Sequence, residues 1–265
     1  MSEKFQHKKS LGQHFLNSDF VPKKMCDAAD LAVGDIVLEI GPGTGILTRE
    51  ILLRGCQVIA IEADLRAIAE LEESFASEIT SGQLTIHHHD ARQLDLAQFG
   101  LVDQQFKVVA NIPYYISGLL FRLCLESDIQ PTTLVFLVQK EVAQRIARDP
   151  KSSILSMSVR VFGDPSYIGT IKRGHFTPPP AVDSAIIAVY NISRDRLQST
   201  STKDFFDALH VAFGQKRKQL AGNWRQLFDK QRVVQELAIL DLPATTRAED
   251  LSIDQFLTLL AQVSR

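Results

Sequence analysis

Ile36-Val37-Leu38-Glu39-Ile40-Gly41-Pro42-Gly43-Thr44-Gly45 is the stretch that decides the fold. A β-rich apolar run ends in a glycine-dense turn and passes directly into residues with helical spacing. Strand, tight turn and helix in that order open an α/β sheet, and glycines there let a ligand approach the backbone. Outward from this stretch the pattern repeats. Gln57–Glu62, Leu84–His88, Lys107–Ile112 and Thr133–Val138 read as further strands, and Leu65–Ala76 and Ser117–Leu125 have helical periodicity. Near-continuous apolar strands alternating with helices predict an α/β fold with a buried, mostly parallel sheet.

The pattern changes after Val159. Ser166–Ile171 and Ser184–Ile192 read as a hairpin-like pair of strands at one sheet edge, joined through Pro178-Pro179-Pro180, where no helix persists. Ser193–Asp204 is a polar linker. Phe205–Phe213, Lys216–Phe228, Arg232–Leu240 and Ile253–Val263 then predict a small all-helical domain. The boundaries expected are 1–195 for the α/β domain, with a basic amino-terminal segment over 1–24, and 196–265 for the helical one.

The 265 residues are 45% apolar and 23% charged, which suits one large domain or one with a small appendage. A net charge of −2 gives no overall basicity. No apolar run approaches the roughly 20 residues of a membrane span, and MSEKFQHKKS lacks the apolar core of a secretory signal. Cys26, Cys56 and Cys124 are far apart and read as buried packing thiols, so a reducing cytoplasm is the expected setting. His87-His88-His89 alternates between strand faces and no cysteine cluster assists it, so no metal site is expected.

The glycine turn is G-x-G-x-G. Ile46 holds the position where a dinucleotide fingerprint needs glycine, and no G-K-[ST] marks a P-loop. Glu62 ends the second strand, 21 residues after Gly41, where a carboxylate can take the two hydroxyls of a ribose. Asp90 follows the third strand. Acids at successive carboxyl ends rim one crevice; that is poor for a pyrophosphate and suits a cationic nucleoside such as S-adenosyl-L-methionine. Without the two acids in register, the loop would read as an ordinary glycine turn.

Asn111-Ile112-Pro113-Tyr114-Tyr115-Ile116-Ser117 closes the fourth strand. The Asn111 side-chain oxygen and the carbonyl preceding or belonging to Pro113 can form two convergent acceptors, matching the two hydrogens of an exocyclic amine. Tyr114 offers a flat face on which a base stacks. In-line displacement at a sulfonium methyl would follow, with the protein supplying proximity and orientation. Between Gln215 and Arg232, Lys216, Arg217, Lys218, Arg225, Lys230 and Arg232 oppose only Asp229, and the first 24 residues carry an excess of three positive charges. Phosphate is the natural partner of such clusters, although a basic helix alone is usually a solvated face. Trp224 reads as core.

These motifs together resemble the adenine-N6 rRNA dimethyltransferases, the family of bacterial KsgA, eukaryotic Dim1 and the Erm resistance enzymes. The resemblance runs over nearly the whole chain, through Gly12-Gln-His-Phe-Leu-Asn17, Glu39–Gly45, Asn111–Ser117, Gln139-Lys-Glu-Val142, Phe176–Ser184 and Ala212–Lys218. The last two look most like the bacterial small-subunit branch. The resemblance implies a Rossmann-like class I methyltransferase with a seven-stranded sheet carrying an antiparallel edge strand. It implies S-adenosyl-L-methionine held by His14, Leu16, Gly41, Gly43, Glu62, Asp90 and Asn111. Asn111, Pro113 and Tyr114 would be catalytic, and Phe176 would cover the other face of the target base. Lys216, Arg217 and Lys218 would contact RNA. The implied substrate is two adjacent adenines in the 3′-terminal hairpin loop of 16S rRNA in an immature small subunit, and the enzyme would be a metal-free cytoplasmic monomer. A ribosome-assembly binding factor would use the same residues. The intact acceptor motif argues against a DNA-binding transcription factor on this fold, and a small-molecule methyltransferase would not need the basic helices.

Overall fold

The computed structural model describes residues 14–264. Gly12 and Gln13 of the amino-terminal motif, and Lys4, Lys8 and Lys9 of the basic segment, lie outside the described residues. In chain order the elements begin with β1 (Phe15–Leu16), α1 (Phe20–Ala28), β2 (Ile36–Ile40), α2 (Ile46–Leu53), β3 (Gln57–Glu62), α3 (Leu65–Ser74), α4 (Ala76–Thr80) and β4 (Leu84–His88). They continue with β5 (Lys107–Asn111), α5 (Ser117–Leu125), β6 (Thr133–Gln139), α6 (Lys140–Ala147), α7 (Ile154–Arg160), β7 (Asp164–Ile171), β8 (Phe176–Thr177) and β9 (Ser184–Tyr190). The last four helices are α8 (Thr202–Phe213), α9 (Leu220–Asn223), α10 (Lys230–Ile239) and α11 (Ile253–Val263).

Seven strands form one sheet in the order β4-β3-β2-β5-β6-β9-β7. The pairs β2–β3, β2–β5, β3–β4 and β5–β6 are parallel, and β9 runs antiparallel to β6. This is the mixed, mostly parallel α/β sheet expected. The antiparallel strand lies second from the edge, with β7 outside it. The inner strands β2, β5, β6 and β9 are apolar along most of their length because both faces are covered. On one face Val37, Val58, Val109 and Val135 share a core with Met25 of α1, Ile51 of α2 and Leu71 of α3. On the other, Phe121 of α5 meets Phe136 of β6 edge-on at 5.1 Å. Cys26, Cys56 and Cys124 are buried and unpaired, and burial pushes the Cys124 thiol up to about 12. The sequence pattern does not predict a two-stranded ladder outside the main sheet, yet one forms: Phe15 pairs with Thr177 and Leu16 with Phe176, antiparallel.

Two compact units emerge. One comprises the chain up to Ala143 together with Pro165–Ile192; the other comprises Gln144–Asp164 and the chain from Ser193 onward. The second unit therefore takes in α7 as well as the terminal helices. Ser152 Oγ donates to the Leu251 carbonyl at 2.7 Å, which ties those two stretches of chain together. Trp224 is fully buried there and donates Nε1–H to the Ala208 carbonyl at 2.9 Å. The continuous helix predicted over Lys216–Phe228 does not form: Gly214 closes α8, and only the short α9 and a 3₁₀ turn at Trp224–Gln226 follow. Two glycines in nine residues and an exposed polar run without an apolar stripe explain the break. Among the described residues no helix is long and apolar enough to cross a membrane.

Candidate active site

The register of the parallel strands brings the motifs to one end of the sheet. Ile40 lies beside Ile61, and Glu62 lies beside His88. The glycine turn, Glu62 and Asp90 therefore leave three adjacent strands at the same level, and Asn111 leaves a fourth. They line a cleft of about 850 Å³.

The glycine turn needs its composition. Gly43 has φ +57° and Gly45 +76°, the left-handed region that glycine enters without penalty. A Cβ on Gly45 would stand 2.5 Å from the Phe75 ring and 2.8 Å from Leu71 Cδ2. The Gly43 N–H donates to Glu62 Oε2 at 3.2 Å, while Glu62 Oε1 accepts from Ala63 N and Asp64 N at 2.8 and 2.9 Å. Three backbone donors thus fix this carboxylate, which is only 7% exposed. Asp90 is gripped by Arg92 through its backbone N–H at 2.9 Å and its guanidinium, whose Nη2 lies 2.6 Å away. The hydrogen bonds from Arg92 hold the Asp90 carboxyl below the usual range.

Glu39 also lines the cleft. It is 1% exposed, and neither of its carboxylate oxygens makes a hydrogen bond of full geometry; the buried Thr48 hydroxyl is the donor beside it. Burial pushes its carboxyl up to about 8, the Thr48 hydroxyl works against the rise, and the nearby Glu62 charge adds to it. A buried carboxylate without a partner is costly unless a cation or donor meets it. An acid-lined cleft with such a carboxyl fits a ligand that carries positive charge and donors, and a nucleoside bearing an ammonium and a sulfonium has both.

Asn111 and Tyr114 line the same cleft. The Pro113 carbonyl accepts the Ile116 N–H at 3.2 Å in a 3₁₀ turn, and Ile112 and Pro113 line the cleft beside Asn111. The Tyr114 hydroxyl is bonded to Ser184 Oγ at 2.6 Å, and Ser184 is fully buried at the start of β9. Burial raises the Tyr114 hydroxyl above its ordinary value.

Of the residues picked out by sequence, His14, Leu16, Gly41, Gly43, Glu62, Asp90, Asn111, Pro113 and Tyr114 all border this cleft. Phe176 does not. Its ring is 2% exposed, belongs to the hydrophobic core, and lies on the strand paired with Leu16. In this structure the ring is covered and does not border the cleft. Lys216 and Arg217 are exposed, and Lys218 is half-buried beside His210 and Arg225 in a depression of about 360 Å³ within the helical unit. Sequence reasoning missed Glu39, Arg92 and Ser184 as site residues. Glu39 carried a signal, as the one charge inside an apolar strand; Ser184 carried none, because its partner is 70 residues away. Among the described residues no group of three or more His, Cys, Asp or Glu side chains is arranged to hold a metal. His87 and His89 instead both meet Phe99 edge-on.

A family model described as ribosomal RNA adenine dimethylase matches residues 4–264. A ribosomal RNA small subunit methyltransferase A from Dehalococcoides mccartyi is 38% identical over 252 residues, covering 94% of this chain and 86% of that protein. The protein of that name from Fusobacterium nucleatum is 34% identical, with 97% of each chain covered. Among solved structures, a dimethyladenosine transferase from Plasmodium falciparum superposes with a TM-score of 0.80 at 27% identity, over 95% of this chain and 98% of that one.

Proposed function

This chain belongs to the ribosomal RNA adenine dimethylase family and is a methyltransferase, and we propose that it uses S-adenosyl-L-methionine to dimethylate N6 of two adjacent adenines. The proposed acceptor is the 3′-terminal hairpin loop of 16S rRNA in the immature small ribosomal subunit. The observation that carries this reading is the turn after β5, which brings Asn111, Ile112, Pro113 and Tyr114 to the wall of an acid-lined cleft.

The bound cofactor supplies a methyl carbon on a sulfonium sulfur that leaves as a neutral thioether. Glu62 is assigned to the ribose hydroxyls, Asp90 to the adenine amine and Glu39 to the ammonium, with Gly41 and Gly43 giving the backbone clearance. Asn111 Oδ1 and the Ile112 carbonyl each accept one N–H of the target amine. In the first transfer that double acceptance favours a pyramidal nitrogen whose lone pair is free to attack, and the charged product gives up one proton to water; the methylamine then enters the second transfer with its one remaining N–H held by a single acceptor. Tyr114 carries the base, with its ring angle set by Ser184. The helical unit is assigned to RNA contact through Lys216, Arg217 and Lys218. An RNA loop can splay a base into such a site, where a duplex would hold it stacked.

Mass spectrometry of small-subunit rRNA, after immature particles are incubated with the protein and labelled cofactor, tests the reading. Four methyl groups on two neighbouring adenines support it; label elsewhere, or none, overturns it. Glu62→Ala should weaken cofactor binding by roughly 10- to 100-fold in calorimetry, the worth of one or two charge-assisted hydrogen bonds. Unchanged affinity removes Glu62 from the ribose role.

A further inference from the structure

Among the described residues Phe20 is the one phenylalanine left exposed, at 56%. A single apolar side chain on a surface needs no explanation by itself; the groups around this one do. The His175 ring is stacked on it, with centroids 5.5 Å apart and planes 26° from parallel. Ser18 Oγ lies 3.1 Å from His175 Nδ1 and steadies that ring. Lys24 Nζ stands 6.0 Å from the Phe20 centroid, and the lysine reaches across Gly169 of β7, where a Cβ would meet Nζ at 2.6 Å. Lys23 and Arg173 are exposed, and Lys172 is exposed although paired with Asp183 at 3.0 Å. Within residues 17–25 and 171–177, Lys23, Lys24, Lys172 and Arg173 are opposed by Asp19 alone. A pair of stacked rings open to solvent and rimmed by cations suits single-stranded nucleic acid, because the rings take a base and the cations take the phosphates beside it. An acidic peptide would satisfy the cations and leave the rings bare.

We propose that Phe20 and His175, with Lys24, form a second RNA-binding site, a stacking platform for an unpaired base of the acceptor RNA outside the methyl-transfer cleft. The proposal rests on the RNA substrate assigned above. The β1–β8 ladder links the two places. One end of it reaches the cleft, which His14 and Leu16 line, and there His14 Nδ1 lies 2.9 Å from the Pro178 carbonyl. At the other end the Asn17 N–H donates to the His175 carbonyl at 3.1 Å. Pro178 and His175 are three residues of extended chain apart, about 10 Å. An RNA loop with one adenine in the cleft can therefore lay a nearby base on Phe20 while the cofactor residues stay where they are. The base extends the Phe20–His175 stack, and Lys23, Lys24 and Arg173 meet the flanking phosphates. A duplex keeps its bases stacked on one another and offers the platform no face, so the site favours unpaired RNA.

Equilibrium binding of the full chain to three probes tests the proposal: immature small-subunit particles, a short unstructured adenine-containing RNA oligonucleotide, and the same oligonucleotide annealed to its complement. Phe20→Ala should weaken binding to the particles and to the single strand by roughly tenfold, the worth of one base stacked on an aromatic ring, and should leave duplex binding within about twofold. Phe20→Tyr keeps a flat ring and should hold affinity for both within about twofold of the parent. Lys24→Ala should lower the slope of log affinity against log salt by about 1. None of the three variants should move the cofactor Kd by more than about twofold. Parental affinity of Phe20→Ala for the particles and the single strand overturns the proposal. So does a Phe20→Tyr protein as weak as Phe20→Ala, or a duplex loss as large as the single-strand loss, since the ring would then serve the fold and not a base. A parent that binds the single strand through Phe20 yet transfers no methyl group to particles overturns the assigned function and supports the platform. A parent that methylates particles with an affinity indifferent to Phe20 overturns the platform alone.

Discussion

A carboxyl group buried as completely as Glu39 leaves a signature in the pH dependence of stability. Its folded value of about 8 lies above the ordinary 4.5, so the native chain holds a proton that the unfolded chain has released. Stability therefore falls as pH rises from about 4.5 to about 8, and levels off above that. Glu39→Gln keeps the shape and removes the titration. Thermal unfolding at pH 5 and pH 8 should show the variant gaining on the parent by roughly 2–4 kcal/mol across the interval, and a constant difference would mean that Glu39 is ionised in the fold. Tyr114 is a second residue whose environment sets its use. Tyr114→Ala should slow methyl transfer by roughly tenfold or more while leaving cofactor affinity nearly intact. Ser184→Ala, which frees the hydroxyl without removing the ring, should slow it less. Equal losses of transfer and cofactor affinity in Tyr114→Ala would point to a folding defect.

At the level of elements, the sequence announced what has a period or an obligatory turn. β2 through β6 match the runs read as strands within a residue, and β2, β5 and β6 do so because a strand buried on both faces can carry little else. The glycine turn was legible because three glycines within five residues, set between a strand and a helix, suit a tight left-handed turn and weaken any regular element. Gly45→Ala should destabilise the protein by roughly 2 kcal/mol or more, combining a left-handed backbone with crowding against Leu71 and Phe75, and urea unfolding would measure it. A loss no larger than that of an exposed Gly→Ala change would mean that α3 can shift to make room. The β1–β8 ladder was not legible. Its strands are two residues long, they pair across about 160 positions, and neither has an alternating pattern. The burial of Phe176 was hidden for the same reason, because its ladder partner, Leu16, lies 160 positions away. The helix expected over Lys216–Phe228 failed because charge and periodicity were counted without the weight of Gly214 and Gly222.

For the whole chain, a net charge of −2 coexists with local runs of strong positive charge, so nucleic-acid affinity must come from those runs and respond to salt. Replacing Lys216, Arg217 and Lys218 together with alanine should flatten the slope of log affinity for particles against log salt by roughly 2–3, with little change in cofactor affinity. An unaltered slope would move RNA contact away from this segment. The bond between Tyr114 and Ser184 also has a consequence in time. A ribosome delivers the chain from its amino end, so every residue lining the cofactor cleft, His14 through Ile116, has been made before Ser184 exists. The Tyr114 hydroxyl therefore gains its partner only when β9 joins β6, and Phe15 and Leu16 gain theirs only once β8 has been made. A polypeptide cut short before Ser184 would carry every residue that borders the cleft and still lack the bond that anchors the Tyr114 ring.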